Sequence, residues 1–75
     1  SVNENTLAFG EIGLAGEIRA VNNCEQRITE AQRLGFTKCI IPFHNYKSLS
    51  KEIKINMDIV PVRNIRSAFD AITEK

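Results

Sequence analysis

The sequence is poor in the residues from which metal sites and nucleophilic active sites are built. It has no tryptophan and one histidine, His44, and its two cysteines, Cys24 and Cys39, form no Cys-x-x-Cys pair. A structural zinc site takes four cysteine or histidine ligands, so we expect no metal site in this chain. Both cysteines lie among apolar residues, which favours two reduced, buried thiols; a disulfide between them is the alternative.

The sequence also lacks an excess of one charge and a long apolar run. Its net charge of +1 produces no strong field for nucleic acid or an anionic membrane, although it leaves room for a local basic patch. No apolar run approaches the roughly 18 residues of a membrane helix, so we expect no membrane partner. Residues 1–6 resemble neither a signal nor a transit peptide and include no initiator Met, which indicates a cytoplasmic chain cut from a longer one.

Glycines punctuate the first apolar stretch. Gly10 and Gly13 interrupt it, a pattern typical of a bulge or of close backbone approach, and Ala15-Gly16 predicts a tight turn because glycine tolerates positive φ. We predict two antiparallel strands, about 7–13 and 17–21. The spacing of the glycines matches no phosphate-binding motif, so we interpret them as turn and bulge positions.

A helix over about 23–34 follows. Asn22 or Asn23 is a candidate N-cap in a capping-box arrangement, and Gly35 is a candidate C′ glycine. Apolar residues recur at helical spacing at Cys24, Ile28, Ala31 and Leu34.

The remaining residues predict two more strands. Residues 37–43 form a β-rich run in which Cys39, Ile40 and Ile41 are consecutive, an apolar character typical of a strand covered on both faces, and 58–62 form a second strand. Residues 45–50 predict a short helix capped by Asn45, and 51–57 a loop. Asn64 is expected to cap a last helix, whose apolar face comprises Ile65, Ala68, Phe69 and Ile72.

The order β-β-α-β-(α)-β-α predicts an α/β (α+β mixed) fold. Strands that alternate with helices favour parallel pairing, and the opening hairpin adds an antiparallel part, so we expect a mixed sheet. Residues 1–75 should form a single domain. A chain of 75 residues buries only about 60% of its unfolded surface, so its stability should depend on a neighbouring domain or subunit that covers one face.

Charged residues give weaker functional signals. Glu11 and Glu17 could face each other across the hairpin, but solvation or pairing with Arg19 is the simpler interpretation. Arg27 and Arg33 flank Glu30 on a wet helix face, which fits i,i+3 ion pairing. Arg19, in a rigid strand after the turn, is the best candidate for contact with a DNA phosphate or a subunit interface, and Arg27 is a second candidate.

Several short motifs occur together, and their combination is more specific than any one of them. They are the run FGEIGLAGEIRAV at 9–21, then Glu25-Gln26-Arg27, Glu30-Ala31, Leu34-Gly35-Phe36 and Ile41-Pro42. In this combination the chain closely resembles the C-terminal region of the bacterial RadA (Sms) repair family, over about residues 6–72. Proteins of that family are multi-domain ATPases that process recombination intermediates and end in a domain similar to the proteolytic domain of Lon protease. The resemblance implies that residues 1–75 are the C-terminal part of a Lon-like domain.

The same resemblance bears on catalysis. Lon proteases share the Gly-Glu-Ile-x-Leu-x-Gly hairpin and the helix after it, and they use a Ser–Lys dyad. Glu25 stands at the position of the dyad lysine, and the serine belongs to an upstream segment outside this sequence. A carboxylate cannot supply the amine base of that dyad, though it is itself a possible base. The resemblance therefore implies an inactive protease fold with no catalytic residue in this chain.

For the parent protein the resemblance implies a DNA-dependent ATPase that acts on DNA damage. Its Lon-like domains would pack into a ring-shaped homo-oligomer and help to hold DNA. ATP and zinc would be bound by other parts of the parent chain, and this piece would hold no cofactor.

Two other interpretations stay open on the sequence. The chain could be a fragment of an active Lon-type serine protease, which Glu25 argues against. It could also belong to the Lon-like domain of a magnesium-chelatase-related ATPase, in which we expect a different start to the helix in place of Glu-Gln-Arg.

Overall fold

A computed structural model of the protein describes residues 5–73, and its centre is a three-stranded parallel sheet. The strands are β1 (Thr6–Ala8), β2 (Glu11–Ile12), β3 (Ile18–Arg19), β4 (Lys38–Pro42) and β5 (Asp58–Val62). The helices are α1 (Cys24–Arg33), α2 (Phe43–Tyr46), α3 (Lys51–Asn56) and α4 (Ile65–Thr73). The parallel sheet has the order β1-β4-β5, and β2 and β3 form a separate antiparallel pair.

The central strand β4 is covered on both faces, as its continuous apolar run predicts. Cys39, Ile40 and Ile41 are all buried. Leu7 pairs with Cys39 on one side of β4, and Ile59 pairs with Cys39 on the other. The α/β class is therefore confirmed.

The predicted strand over 7–13 is two strands in two sheets. β1 pairs in parallel with β4, whereas β2 pairs with β3, so the predicted mixed sheet is divided in two. The break lies at Gly10, where an added Cβ would stand 2.8 Å from Cγ2 of Ile18 and 3.3 Å from Cγ of Pro42. This close packing needs a residue without a side chain and turns the chain from one sheet into the other.

The hairpin is fixed to the junction of β5 and α4. Gly16 turns the chain with a φ of 84°, as predicted for the tight turn. The amide of Ile18 then donates to the carbonyl of Arg63 (2.8 Å), and the amide of Ile65 donates to the carbonyl of Gly16 (2.9 Å). The hairpin and the start of α4 thus share backbone hydrogen bonds.

Helix α1 agrees with its prediction except at its start. Gly35 has a φ of 101°. The Gly35 amide donates a hydrogen bond to the Gln32 carbonyl and the Phe36 amide donates one to the Ala31 carbonyl, which together form a Schellman motif. The expected side-chain N-cap is absent, because Asn23 is left-handed with a φ of 59° and its side chain makes no cap hydrogen bond.

Two predictions between β4 and β5 are wrong. The short helix expected over 45–50 is α2, which begins at Phe43 directly after Pro42. The expected loop over 51–57 contains α3, which is capped by the hydroxyl of Ser50 as acceptor for the Ile53 amide (3.3 Å). Ile53 and Met57, four residues apart, are buried and anchor this segment.

Helix α4 begins as predicted, since Oδ1 of Asn64 accepts a hydrogen bond from the Ser67 amide (2.8 Å). Its packed face differs from the prediction: Ala71 is buried and Ala68 and Ile72 are partly buried, but Phe69 is 66% exposed and Ile65 is also exposed. The helix therefore packs through its two alanines and Ile72.

The core has two layers of unequal size. Cys39 and Ile41 pack with α1 and α3 on one face of the sheet. Ile40 and Val62 pack with Ile18 and Ala71 on the other. The second face has fewer buried residues and is the less completely covered of the two. No helix within residues 5–73 is long and apolar enough to cross a membrane.

Candidate functional site

Glu25 lies in the first turn of α1 and joins that helix to α3. Its Oε1 accepts a hydrogen bond from the backbone amide of Ser50 (3.1 Å). Ser50 is the N-cap of α3, and its hydroxyl satisfies the Ile53 amide. Carboxylate and hydroxyl together therefore satisfy two backbone amides at the start of α3, where a negative charge is favourable.

A small polar cleft opens between these two helices. Its volume is about 240 Å³, and its lining includes Glu25, Thr29, Ser50 and Asn56. Thr29 donates its hydroxyl hydrogen to the carbonyl of Glu25 (2.9 Å). The cleft contains carboxylate, hydroxyl and amide groups, and no lysine, histidine or cysteine belongs to its lining.

Arg19 lies in β3 and is exposed along 62% of its side chain. Its Nη2 donates to Oε2 of Glu17 (3.2 Å), and its strand partner in the hairpin is Glu11. A hydrogen bond to its own backbone, followed by the one from Arg19, holds the pKa of Glu17 below its usual value. The pairing of Glu17 with Arg19 agrees with the simpler sequence interpretation, and solvent weakens the attraction in this exposed pair.

Arg27 lies in α1 and is held by different partners. Its Nε donates to the carbonyl of Asn22 (3.1 Å), and its guanidinium carbon lies 5.8 Å from the ring centroid of Phe9. Arg33 donates to Glu30 at 2.6 Å, which is the i,i+3 ion pair expected on the wet face of this helix. Each arginine singled out from the sequence thus has a local partner, and their DNA or interface role stays a prediction.

Asn45 positions the backbone at Val21, whereas the sequence predicts that it caps a short helix. It is buried within α2 and caps no helix. Its Oδ1 accepts from the Val21 amide (2.9 Å), and its Nδ2 donates to the Val21 carbonyl (3.0 Å). This pair of bonds fixes the segment between β3 and α1, and so helps to place Glu25. No local signal marks the pairing, because the two residues are far apart in sequence.

Arg63 is a basic residue with an aromatic partner that sequence reasoning missed. Its guanidinium carbon lies 3.7 Å from the ring centroid of Phe43. Phe43 also makes an edge contact with His44, at 5.8 Å between ring centroids. The imidazole therefore lies beside an aromatic ring on an exposed corner of the fold.

The two cysteines are free and buried, as expected. Burial raises the pKa of the Cys39 thiol to about 11 and raises that of Cys24 as well. Thiols with raised pKa values are poor nucleophiles and poor metal ligands at neutral pH. Within residues 5–73, no group of three or more His, Cys, Asp or Glu residues is arranged to hold a metal ion.

The family of the chain follows from a match over almost its whole length. The family described as Lon protease (S16) C-terminal proteolytic domain matches residues 1–74. The chain belongs to this Lon family. The Gly10–Gly16 hairpin and the helix that carries Glu25 lie inside the matched range.

Proteins similar to this Lon-type chain include several that are named DNA repair protein RadA. The protein from Aquifex aeolicus is 45% identical over 71 residues, which are 95% of this chain and 15% of that protein. The protein from Streptococcus pneumoniae is 54% identical over 55 residues, or 71% of this chain and 13% of that protein. The protein from Pseudomonas aeruginosa is 37% identical over 68 residues, or 91% and 14%. The chain thus spans about one-seventh of the length of these relatives.

Proposed function

We propose that this Lon-type chain is a non-catalytic scaffold domain of a RadA-type DNA repair and recombination ATPase. In that protein it supports oligomerisation into a ring and contributes contacts to DNA. ATP and zinc are bound by other parts of the parent, which works in the cytoplasm. Similarity to RadA-named proteins over as much as 95% of the chain supports the assignment of the parent.

The observation that carries the non-catalytic role is the hydrogen bond between Glu25 and Ser50. A Ser–Lys dyad needs an amine that can take the proton of a nearby serine hydroxyl. Here a carboxylate stands at that position, and its oxygen accepts the backbone amide that begins α3. The side chain serves the packing of α1 against α3, which is a structural use of a position that is catalytic in the resembling proteases.

The test of this role removes or reverses the charge of Glu25 in the full-length parent. Glu25→Gln keeps an acceptor for the Ser50 amide, whereas Glu25→Lys removes it and offers the dyad amine. We expect the wild-type and both variants to leave casein intact, and only Glu25→Lys to raise hydrogen exchange over residues 49–54. Casein cleavage by the wild-type protein would refute the scaffold role in favour of an active protease.

Oligomerisation is tested by deleting the domain. Sedimentation should show a ring for the parent and smaller species for a parent that lacks residues 1–75. Thr29→Ala, a change on the wet face of α1, serves as a folded control that should keep the ring. An unchanged ring after the deletion would remove the oligomerisation role.

DNA contact is tested at Arg19, because its side chain is exposed and lies in β3, shortly after the hairpin turn. Arg19→Ala in the full-length parent should weaken DNA binding and lower the slope of log K against log salt by about one unit. Arg33→Ala is the matched control, since Arg33 is also exposed and paired with a glutamate, but lies on α1. Equal effects of both variants, or no effect of either, would remove Arg19 as a DNA contact.

A further inference from the structure

Two residues that follow neighbouring strands of the parallel sheet lie side by side. Pro42 and Val62 are register partners at the ends of β4 and β5, and Phe43 and Arg63 come directly after them. The guanidinium carbon of Arg63 lies 3.7 Å from the ring centroid of Phe43, so the cation lies over the face of the ring. In open α/β sheets, ligands bind beyond the carboxyl ends of the parallel strands, which is where this pair stands.

The backbone beneath this pair is fixed by neighbouring elements. The Arg63 carbonyl accepts a hydrogen bond from the Ile18 amide of the hairpin (2.8 Å). Pro42, which precedes Phe43, is fully buried, and so is Asn45 within α2 to 9% exposure. Both side chains are therefore carried by backbone that packing and hydrogen bonding hold in place, as a preorganised binding site requires.

Arg63 differs from Arg19, Arg27 and Arg33 in the partner that holds its charge. Arg19 and Arg33 form ion pairs with glutamates, and Arg27 donates to a carbonyl. Within residues 5–73 the exposed side chain of Arg63 forms no ion pair and no hydrogen bond. An aromatic face attracts the cation without using the five N–H donors of the guanidinium. The guanidinium is thus held in place and still available to a ligand.

The exposed groups at this position are planar. His44 is exposed and meets Phe43 edge-on, with 5.8 Å between the ring centroids and 86° between the ring planes. Unstacked nucleobases stack on arginine guanidinium planes and on aromatic rings, including that of histidine, and phosphates accept from guanidinium N–H groups. A protein carboxylate would use the N–H donors alone and leave the flat surfaces unused, so the chemistry favours a nucleic acid strand.

We propose that Phe43, His44 and Arg63, together the arginine–aromatic corner, bind unstacked bases of single-stranded DNA. The inference rests on the proposed function in one respect, that this domain contributes contacts to DNA. Bases in a duplex are already stacked on each other, so the corner should distinguish a single strand from a double strand. Arg19 directly follows Ile18, whose amide bonds to the Arg63 carbonyl, so β3 places a second exposed arginine beside the corner.

The test compares single strands with and without bases in the full-length parent. Fluorescence anisotropy measures the affinity for an oligothymidylate and for an abasic strand of the same length, which has the same phosphates. Phe43→Leu keeps an apolar side chain without the ring, and Arg63→Lys keeps the charge without the planar group. We expect each variant to lower the preference for oligothymidylate over the abasic strand by about tenfold, within the range for one stacked base, and to leave duplex binding unchanged.

Arg27→Lys is the matched control. Arg27 also lies near a phenylalanine, at 5.8 Å from the Phe9 centroid, but its Nε donates to the Asn22 carbonyl. This variant should leave the preference unchanged, since the loss of a phosphate contact weakens both strands equally. Thermal unfolding identifies a Phe43→Leu protein that does not fold, and Arg63→Lys, a change to an exposed side chain, then decides the test alone.

Three results would overturn the proposal. The first is an unchanged preference in Arg63→Lys. The second is an equal loss of affinity for both strands, which would show that the corner contacts phosphates only. The third is a smaller assembly in sedimentation with unchanged DNA binding, which would show that the corner meets an acidic protein surface.

Deletion of residues 1–75 separates the failure of this inference from the failure of the proposed function. If the deletion leaves DNA binding unchanged, the DNA role of the whole domain is refuted. If the deletion weakens DNA binding but Arg63→Lys does not change the preference, only the arginine–aromatic corner is refuted.

Discussion

The pairing of Asn45 with Val21 gives the sharpest test of how the fold positions Glu25. Asn45→Ala removes the acceptor of the Val21 amide and the donor to the Val21 carbonyl, and Val21 is only half-buried. Two hydrogen bonds at about 1 kcal/mol each give a loss of about 2 kcal/mol in local stability. Because 1.36 kcal/mol is a factor of ten, the Val21 amide should exchange roughly 30-fold faster.

Asn45→Asp separates the two bonds by pH. The aspartate keeps the acceptor for the Val21 amide, but near neutral pH its charge faces the Val21 carbonyl in place of a donor. Burial and this carbonyl favour the protonated acid, so the folded-state pKa should lie above the unfolded value of about 3.9. The acid restores the donor, so the defect should be largest at neutral pH and should shrink as the pH falls through the folded pKa towards 4.

The assay is hydrogen exchange of the full-length protein by mass spectrometry, corrected for intrinsic rates at each pH. Asn56→Ala, a change to an exposed asparagine on α3, is the control that should leave exchange at Val21 unchanged. Equal protection of Val21 in the wild-type and Asn45→Ala proteins would refute the positioning role. A defect in Asn45→Asp that does not vary with pH would refute the assignment of the donor.

Two further predictions concern the core. Gly10→Ala should destabilise the domain by about 1–3 kcal/mol, because the added Cβ would meet Ile18 and Pro42. Denaturant unfolding measures this loss, and Gly35→Ala, whose Cβ would meet nothing, is the comparison for backbone strain alone. The Cys39 thiol, with a pKa of about 11, should resist alkylation at pH 8 in the folded protein. Because this pKa is raised, the free energy of unfolding linked to it is complete below the unfolded pKa near 8.5 and is lost as the pH rises through about 11. Cys39→Ser should lack that loss. An identical dependence of stability on pH in the wild-type and Cys39→Ser proteins would contradict the argument.

The sequence predicts those elements whose signals are local. Gly35 and Asn64 mark helix ends because a positive φ and a side-chain cap act within a few residues. The consecutive apolar residues at 39–41 likewise identify a strand covered on both faces. The two helix-end signals reflect short-range sterics and hydrogen bonding, which do not depend on the rest of the fold.

The errors occur where a distant partner decides. The strand predicted over 7–13 divides because β4 recruits its first part and β3 its second. The error over 51–57 has a different origin, because a local cap at Ser50 and the burial of Ile53 outweigh a polar composition and form a helix. At the candidate site, the sequence identifies Glu25 by resemblance, but its bond to Ser50 spans 25 residues and has no local signature.

The hydrogen bond from Ile65 to Gly16 constrains how the hairpin can change in length. The Gly16 carbonyl satisfies an amide in the first turn of α4, one that no intrahelical acceptor can reach. An insertion or deletion between β2 and β3 would move this carbonyl and leave the helix start unpaired. Surface turns usually tolerate such changes, but this one should keep a fixed number of residues, and length variation should instead collect in turns that serve no second element.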